Sequence, residues 1–222
     1  NLGTVTATAP SVGLALVSQG AQVLRDITIT GDLEVTTGVG GLVGGVTQAT
    51  GTALNIGGAS TFTADTTKGQ VATLTIAVNN LVGAMSLKEK NGGTWKTAEV
   101  VSASALNMGE TTVTGDLSLK TMSVDITQVG PIAVGGRTDI VAAGSAILAD
   151  TGNNFVGIVN VNTGGALEFT TSGALTIDKV VTVGNTVLKS TGKIDLGTSV
   201  FGGTLKVNSG GFDIIQSGPL KA

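Results

Sequence analysis

The sequence predicts an all-β fold of stacked parallel coils, a β-helix, and three observations predict it. The chain repeats its own phrases over long distances. Its apolar residues alternate with period two, which is strand spacing. Gly, Asn, Asp and Ser punctuate the strands, while helical periodicity is almost absent. Thr28-Ile-Thr-Gly-Asp-Leu-Glu-Val35 returns as Thr112-Val-Thr-Gly-Asp-Leu-Ser-Leu119. Asn79-Asn-Leu-Val-Gly83 returns as Asn153-Asn-Phe-Val-Gly157, and Asp125-Ile-Thr-Gln-Val-Gly-Pro-Ile132 as Asp213-Ile-Ile-Gln-Ser-Gly-Pro-Leu220. The matches keep the same order along the chain, but their offsets differ from block to block. An antiparallel barrel also accommodates dense strands and turns. Long-range repetition with drifting block length favours a solenoid, because a coil tolerates outward loops without losing register.

Taken in order, the strands follow from alternation. Ile27, Ile29, Leu33 and Val35 share one face around Gly31-Asp32, with Thr28, Thr30 and Glu34 on the other. In the stretch from Val71 to Val78, Ala72, Leu74, Ile76 and Val78 face one way and Thr73 and Thr75 the other. The segment 100–108 carries Ser102, Ser104 and Asn107 and reads as extended chain. Val113, Leu117 and Leu119 repeat the first pattern, and further strands are expected at 159–161, 166–170, 174–177, 180–183 and 204–207. Ile29, Val35, Leu74, Ile76, Val113, Leu117, Leu175, Ile177, Leu205 and Val207 are the expected inward set. Gly pairs such as Gly57-Gly58, Gly135-Gly136 and Gly202-Gly203 mark tight corners.

Composition agrees. Gly is 35 of 222 residues without a three-residue period, which excludes collagen, and 41% hydrophobic residues exclude disorder. Aromatics are only 3%, so the core is narrow and filled by Val, Ile, Leu, Ala and Thr. Twelve basic against fifteen acidic residues give a net charge of −3. Lys88, Lys90 and Lys96 are the sole positive cluster, diluted by Glu89, so no nucleic-acid partner is expected. No apolar run reaches the length of a membrane span, so no membrane insertion is expected. The absence of Cys removes disulfides and thiolate metal sites. Asn1 opens neither on an initiator Met nor on a signal-peptide pattern, and a piece of a longer protein is the expectation.

Leu2-Gly-Thr-Val-Thr-Ala-Thr8, the phrase at 28–35, Asn55-Ile-Gly-Gly-Ala-Ser-Thr61, Asp150-Thr-Gly-Asn-Asn-Phe-Val-Gly157 and Gly173-Ala-Leu-Thr-Ile177 carry a resemblance. They resemble the filamentous haemagglutinin-type repeats of bacterial two-partner-secretion exoproteins. The resemblance covers most of the chain and is weakest around residues 88–98. It implies a right-handed parallel β-helix, export to the extracellular space or bacterial cell surface, and an adhesive or shaft-like role. At roughly twenty residues per coil, the whole of 1–222 is a single β-solenoid segment of about ten coils. Stacked at the strand spacing, that is a rod of roughly 50 Å.

Candidate chemistry is sparse. There is no His, and the acidic residues form no adjacent pair. Some right-handed β-helices cleave polysaccharides with carboxylates on one groove, so Asp32 and Asp116, at matching repeat positions, are candidates; the alternative is that each shapes a turn through its side chain. The repeated pairs Asn79-Asn80 and Asn153-Asn154 read either as calcium or glycan ligands or as corner residues satisfying buried backbone. Thr-x-Thr triplets read either as ice-binding rows or as plain β-propensity. The segment Lys88-Glu-Lys-Asn-Gly-Gly-Thr-Trp-Lys96 reads as a loop or hairpin excursion near 88–98. Its Trp95, the only Trp, either stacks on a sugar or covers the solenoid flank.

The expectation is therefore a non-enzymatic shaft segment needing no cofactor and no metal. Its partners are neighbouring coils or like subunits end to end, and host or cell-surface glycans. Val5 and Ile214 are the expected end-to-end contacts, because both ends start or stop in strand-like sequence without caps. Two alternatives stand beside it: a subunit of a self-assembling extracellular filament or sheath, and a carbohydrate-active β-helix enzyme.

Overall fold

The computed structural model describes residues 4–9, 13–75 and 79–222. Ile76 and Val78, expected to face inward, lie outside the described residues. The described chain is all strand, turn and bend, with no helix. Strands alternate between a fifteen-stranded and a twelve-stranded sheet, here the first and second sheet, and every pairing is parallel. The fold is a parallel β-solenoid of about ten coils. Coil length reads from the register of the second sheet. Leu14 pairs Leu33, Leu33 pairs Ser60, and Ser60 pairs Met85, so the coils lengthen after the first step. They shorten again toward the other end, where Ala146 pairs Leu167, Leu167 pairs Thr186 and Thr186 pairs Leu205.

The core is one continuous column. Alternation puts Ile27, Ile29, Leu33, Val35, Leu74, Val113, Leu117, Leu119, Leu175 and Ile177 inside. Phe62, Phe155 and Phe169 join them, the last two rings 4.4 Å apart. Leu205 and Val207 pack against this column but are only half-buried. Their strand, Leu205–Asn208, has one partner, Thr186–Ser190, so its other edge is left uncovered among the described residues.

The repeated phrases have a structural unit larger than one coil. Three long strands, Gln22–Ile29, Leu106–Val113 and Leu175–Thr182, each pair with two short strands of the next coil. Gln22–Ile29 pairs Val46–Gln48 and Leu54–Ile56. Leu106–Val113 pairs Ile126–Gln128 and Ile132–Val134. Leu175–Thr182 pairs Ile194–Asp195 and Thr198–Phe201. In each case the following coil is split again, at Gln70–Leu74 and Asn80–Leu81, at Ala146–Leu148 and Asn154–Phe155, and at Ile214–Ile215 and Leu220–Lys221. The chain is thus three modules, and the split face lies in the first sheet, then the second, then the first. The sequence repeat that carries Thr28 onto Thr112 is the step from one module to the next, turned onto the other sheet.

The segment 88–98 makes no excursion. Ala84–Glu89 pairs in register with Ser60–Ala64, and Trp95–Ser102 pairs with Gln70–Leu74 with a one-residue bulge at Lys96. The corner between them bonds to the corner below through Lys90 N–H to Ala64 O, 2.9 Å, and Thr94 N–H to Thr66 O, 3.1 Å. Its charged residues are simply the exposed ones of an ordinary corner. The longer outward loop runs from 38 to 45, where Leu42 and Val43 are exposed.

Candidate functional site

The repeated polar residues build corners rather than a reaction centre. Asp32 Oδ1 accepts the Ala59 N–H of the next coil at 2.8 Å, and Asp116 Oδ1 accepts that of Arg137 at 2.8 Å. Asn185 does the same in the third module, accepting from Thr204 N–H at 3.0 Å. Sequence matching missed Asn185 because an amide replaces the carboxylate, although Gly184-Asn185 preserves the Gly-polar pair. Each side chain satisfies a corner N–H that has no place in a ladder.

The buried asparagines form matching clamps. Asn79 and Asn153 are wholly buried, whereas Asn80 and Asn154 are exposed. Asn79 Oδ1 accepts from Leu54 N–H at 3.0 Å and from Gln48 Nε2 at 2.7 Å, while its Nδ2 donates back to Gln48 Oε1 at 2.7 Å. Asn153 Oδ1 accepts from Ile132 N–H at 2.8 Å and from Gln128 Nε2, and its Nδ2 donates to Gln128 Oε1 at 3.0 Å and Leu148 O at 3.2 Å. Gln48 and Gln128 end the first short strand of their split face; the asparagine precedes the second short strand one coil later. The amides therefore hold the bend open to the core without leaving backbone groups unpaired. Gly83 and Gly157 close the same phrase, and a Cβ on Gly157 would stand 2.1 Å from Gly136 O. The corners stack too closely for any side chain there.

Trp95 contradicts both of its expected roles. It is 0% exposed and its indole N–H donates to Lys88 O at 3.0 Å, so it offers no face to a sugar and covers no flank. It enters the core opposite Gln70, in the part of the rod where coils are long. Val5 is half-buried against the core and Ile214 is 48% exposed. The Thr-x-Thr rows do not continue. Thr8 stacks on Thr28, which is followed by Asn55 and Asn80; Thr36 stacks on Thr63, followed by Lys88; Thr47 stacks on Thr73, followed by Glu99; and Thr112 stacks on Ala133 and then Asn154.

Among the described residues, Lys189 and Lys206 line one recess and Asp32 and Glu34 another, but the recess that gathers three carboxylates lies on the first sheet. On the outer side of the first sheet, Thr73, Glu99, Ser118, Asp139, Asn160 and Lys179 are successive register partners and form one column. Two shallow recesses, of about 150 and 190 Å³, lie along it and share Asp139. One gathers Glu99, Asp116 and Asp139; the other is lined by Asn160, Asn162, Lys179, Val141 and Val181. Arg137 Nε donates to both oxygens of Asp139, at 2.9 and 2.8 Å. That hydrogen bond first, then the charges of Asp139, Asp178 and Asp116, hold the guanidinium above its ordinary range. Sequence reasoning did not join Glu99 and Asp139 to Asp116, because each lies about one coil away from it along the chain. Among the described residues no His, Cys, Asp and Glu group is arranged to hold a metal ion, and no helix is long and apolar enough to cross a membrane.

No curated protein and no solved structure matches the chain. A repeat family matches it in three segments, 11–88, 96–162 and 183–222; the first two include the long strand of their module and the third begins just after Leu175–Thr182. The chain belongs to that family, described as Repeats of unknown function (DUF5649).

Proposed function

We propose that this chain is a structural and adhesive shaft segment of a secreted or cell-surface bacterial filamentous protein. One observation carries the reading: a single core column runs through the described coils, with parallel ladders outside it and polar clamps at its bends. Such a body is stiff along its axis and presents little loose backbone to proteases. The likeness to filamentous haemagglutinin-type repeats supplies the cellular setting. Partners are neighbouring coils or like subunits, meeting through end strands at Val5 and Ile214, and surface glycans. The test is immunogold labelling of the producing cells with an antibody to this chain. Label along surface fibres is expected; label confined to the cytoplasm would refute the reading.

The groove lined by Glu99, Asp116 and Asp139 favours a second reading, a carbohydrate-active β-helix. Two of its carboxylates are already engaged: Asp116 accepts a backbone N–H and Asp139 holds Arg137. Screening against pectins, alginate and glycosaminoglycans separates the two readings, since only the enzyme turns a polymer over.

A further inference from the structure

Asn91-Gly92 is the only Asn-Gly step in the chain. It lies at the exposed tip of the corner joining Ala84–Glu89 to Trp95–Ser102. Asn91 is the one described non-glycine residue with positive φ, 52°, and Gly92 follows at 74°. This is the tight-turn geometry that Asn-Gly adopts readily. Gly93 N–H closes the turn on Lys90 O at 2.8 Å, while the Gly92 N–H makes no hydrogen bond among the described residues. The Asn91 Nδ2 donates to Asp65 Oδ1, at 2.7 Å, on the corner directly below.

We propose that Asn91 is a site of spontaneous, intramolecular modification. The Gly92 backbone nitrogen, deprotonated by hydroxide, attacks Cγ of Asn91. The Cγ–Nδ2 bond breaks and Nδ2 leaves as ammonia, giving a five-membered succinimide. Water opens the ring at one of its two carbonyls and leaves aspartate or isoaspartate at position 91. Gly92 has no side chain to shield the attacking nitrogen, and the corner is open to hydroxide and water. The structural consequence follows from the stacking. A donor facing the Asp65 carboxylate becomes a second carboxylate in the same place, so an attractive contact between coils turns repulsive.

The experiment incubates the folded full-length chain, and the same chain unfolded in urea, in mildly alkaline buffer at physiological temperature. Tryptic peptides are followed by mass spectrometry with isoaspartate detection. The peptide of residues 91–96 is expected to convert in the folded protein before any other asparagine does. An Asn91→Asp variant is expected to unfold at a lower urea midpoint, and adding Asp65→Asn, which restores a donor opposite the carboxylate, is expected to recover it. Asn91 remaining an amide in the folded protein while the unfolded chain converts would overturn the modification site. An Asn91→Asp midpoint equal to the parent's would overturn its consequence.

Discussion

Replacing Asn153 with Ala tests what holds the bends of the solenoid. The side chain is wholly buried and serves two backbone groups, Ile132 N–H at 2.8 Å and Leu148 C=O at 3.2 Å, besides the Gln128 amide. Alanine leaves both backbone groups facing an apolar core. A buried polar group without a partner costs about 1–3 kcal/mol. Gln128 keeps its bond to Gly130 O, 2.7 Å, so its own loss is partial. The expected total is about 3–5 kcal/mol, which for a chain of this size lowers the melting temperature by roughly 6–20 °C. Asn154→Ala, one residue away and exposed, is expected to stay within about 0.5 kcal/mol of the parent. Urea unfolding followed by circular dichroism reads the whole rod, and Trp95 fluorescence reads the part around its own coil. In a nearest-neighbour array the dichroism transition moves more than the fluorescence one. A midpoint for Asn153→Ala equal to that of Asn154→Ala would show that the clamp contributes nothing, and the argument from buried backbone fails.

Leu117 is 1% exposed, so Leu117→Asp buries an unpaired carboxylate and is expected to cost at least about 3 kcal/mol, read as loss of soluble folded protein or a collapsed urea midpoint. Asp116→Ala removes one corner hydrogen bond and is expected to cost about 1 kcal/mol without altering any activity; polysaccharide turnover that disappears in Asp116→Asn or Asp32→Asn would establish the enzyme instead. Burial pushes the Asp195 carboxyl up, but hydrogen bonds from Gly197 and Ser217 outweigh it and hold the group below its ordinary value. A folded value below the unfolded one adds stability above the ordinary carboxylate range, lost as pH falls through the folded value. Asp195→Asn should therefore flatten the acid limb of the midpoint–pH curve. Glu89, held above its ordinary value by burial, works the opposite way, so Glu89→Gln is expected to raise the midpoint at neutral pH slightly.

The strands, the inward face and the stacking are written in the residue pattern. Period-two alternation has one physical meaning in a half-buried strand, so Ile29, Val35, Leu117 and Ile177 had nowhere to point but inward. The corner role of Asp32 and Asp116 was legible for the same kind of reason, since a short carboxylate after Gly finds a nearby N–H. Whatever depends on register between coils needed the folded chain. Which residues lie a coil apart and yet touch is fixed by loop lengths that drift from coil to coil, and local sequence carries no mark of that sum. For that reason the Glu99–Asp116–Asp139 groove, the Gln48–Asn79 and Gln128–Asn153 clamps and the alternation of the split face between sheets emerge only in three dimensions. Trp95 is the sharpest case. Its charged neighbours mark a surface corner, and the corner is there, but the strand that starts at Trp95 turns its first side chain inward, and the long coils around it have room for an indole.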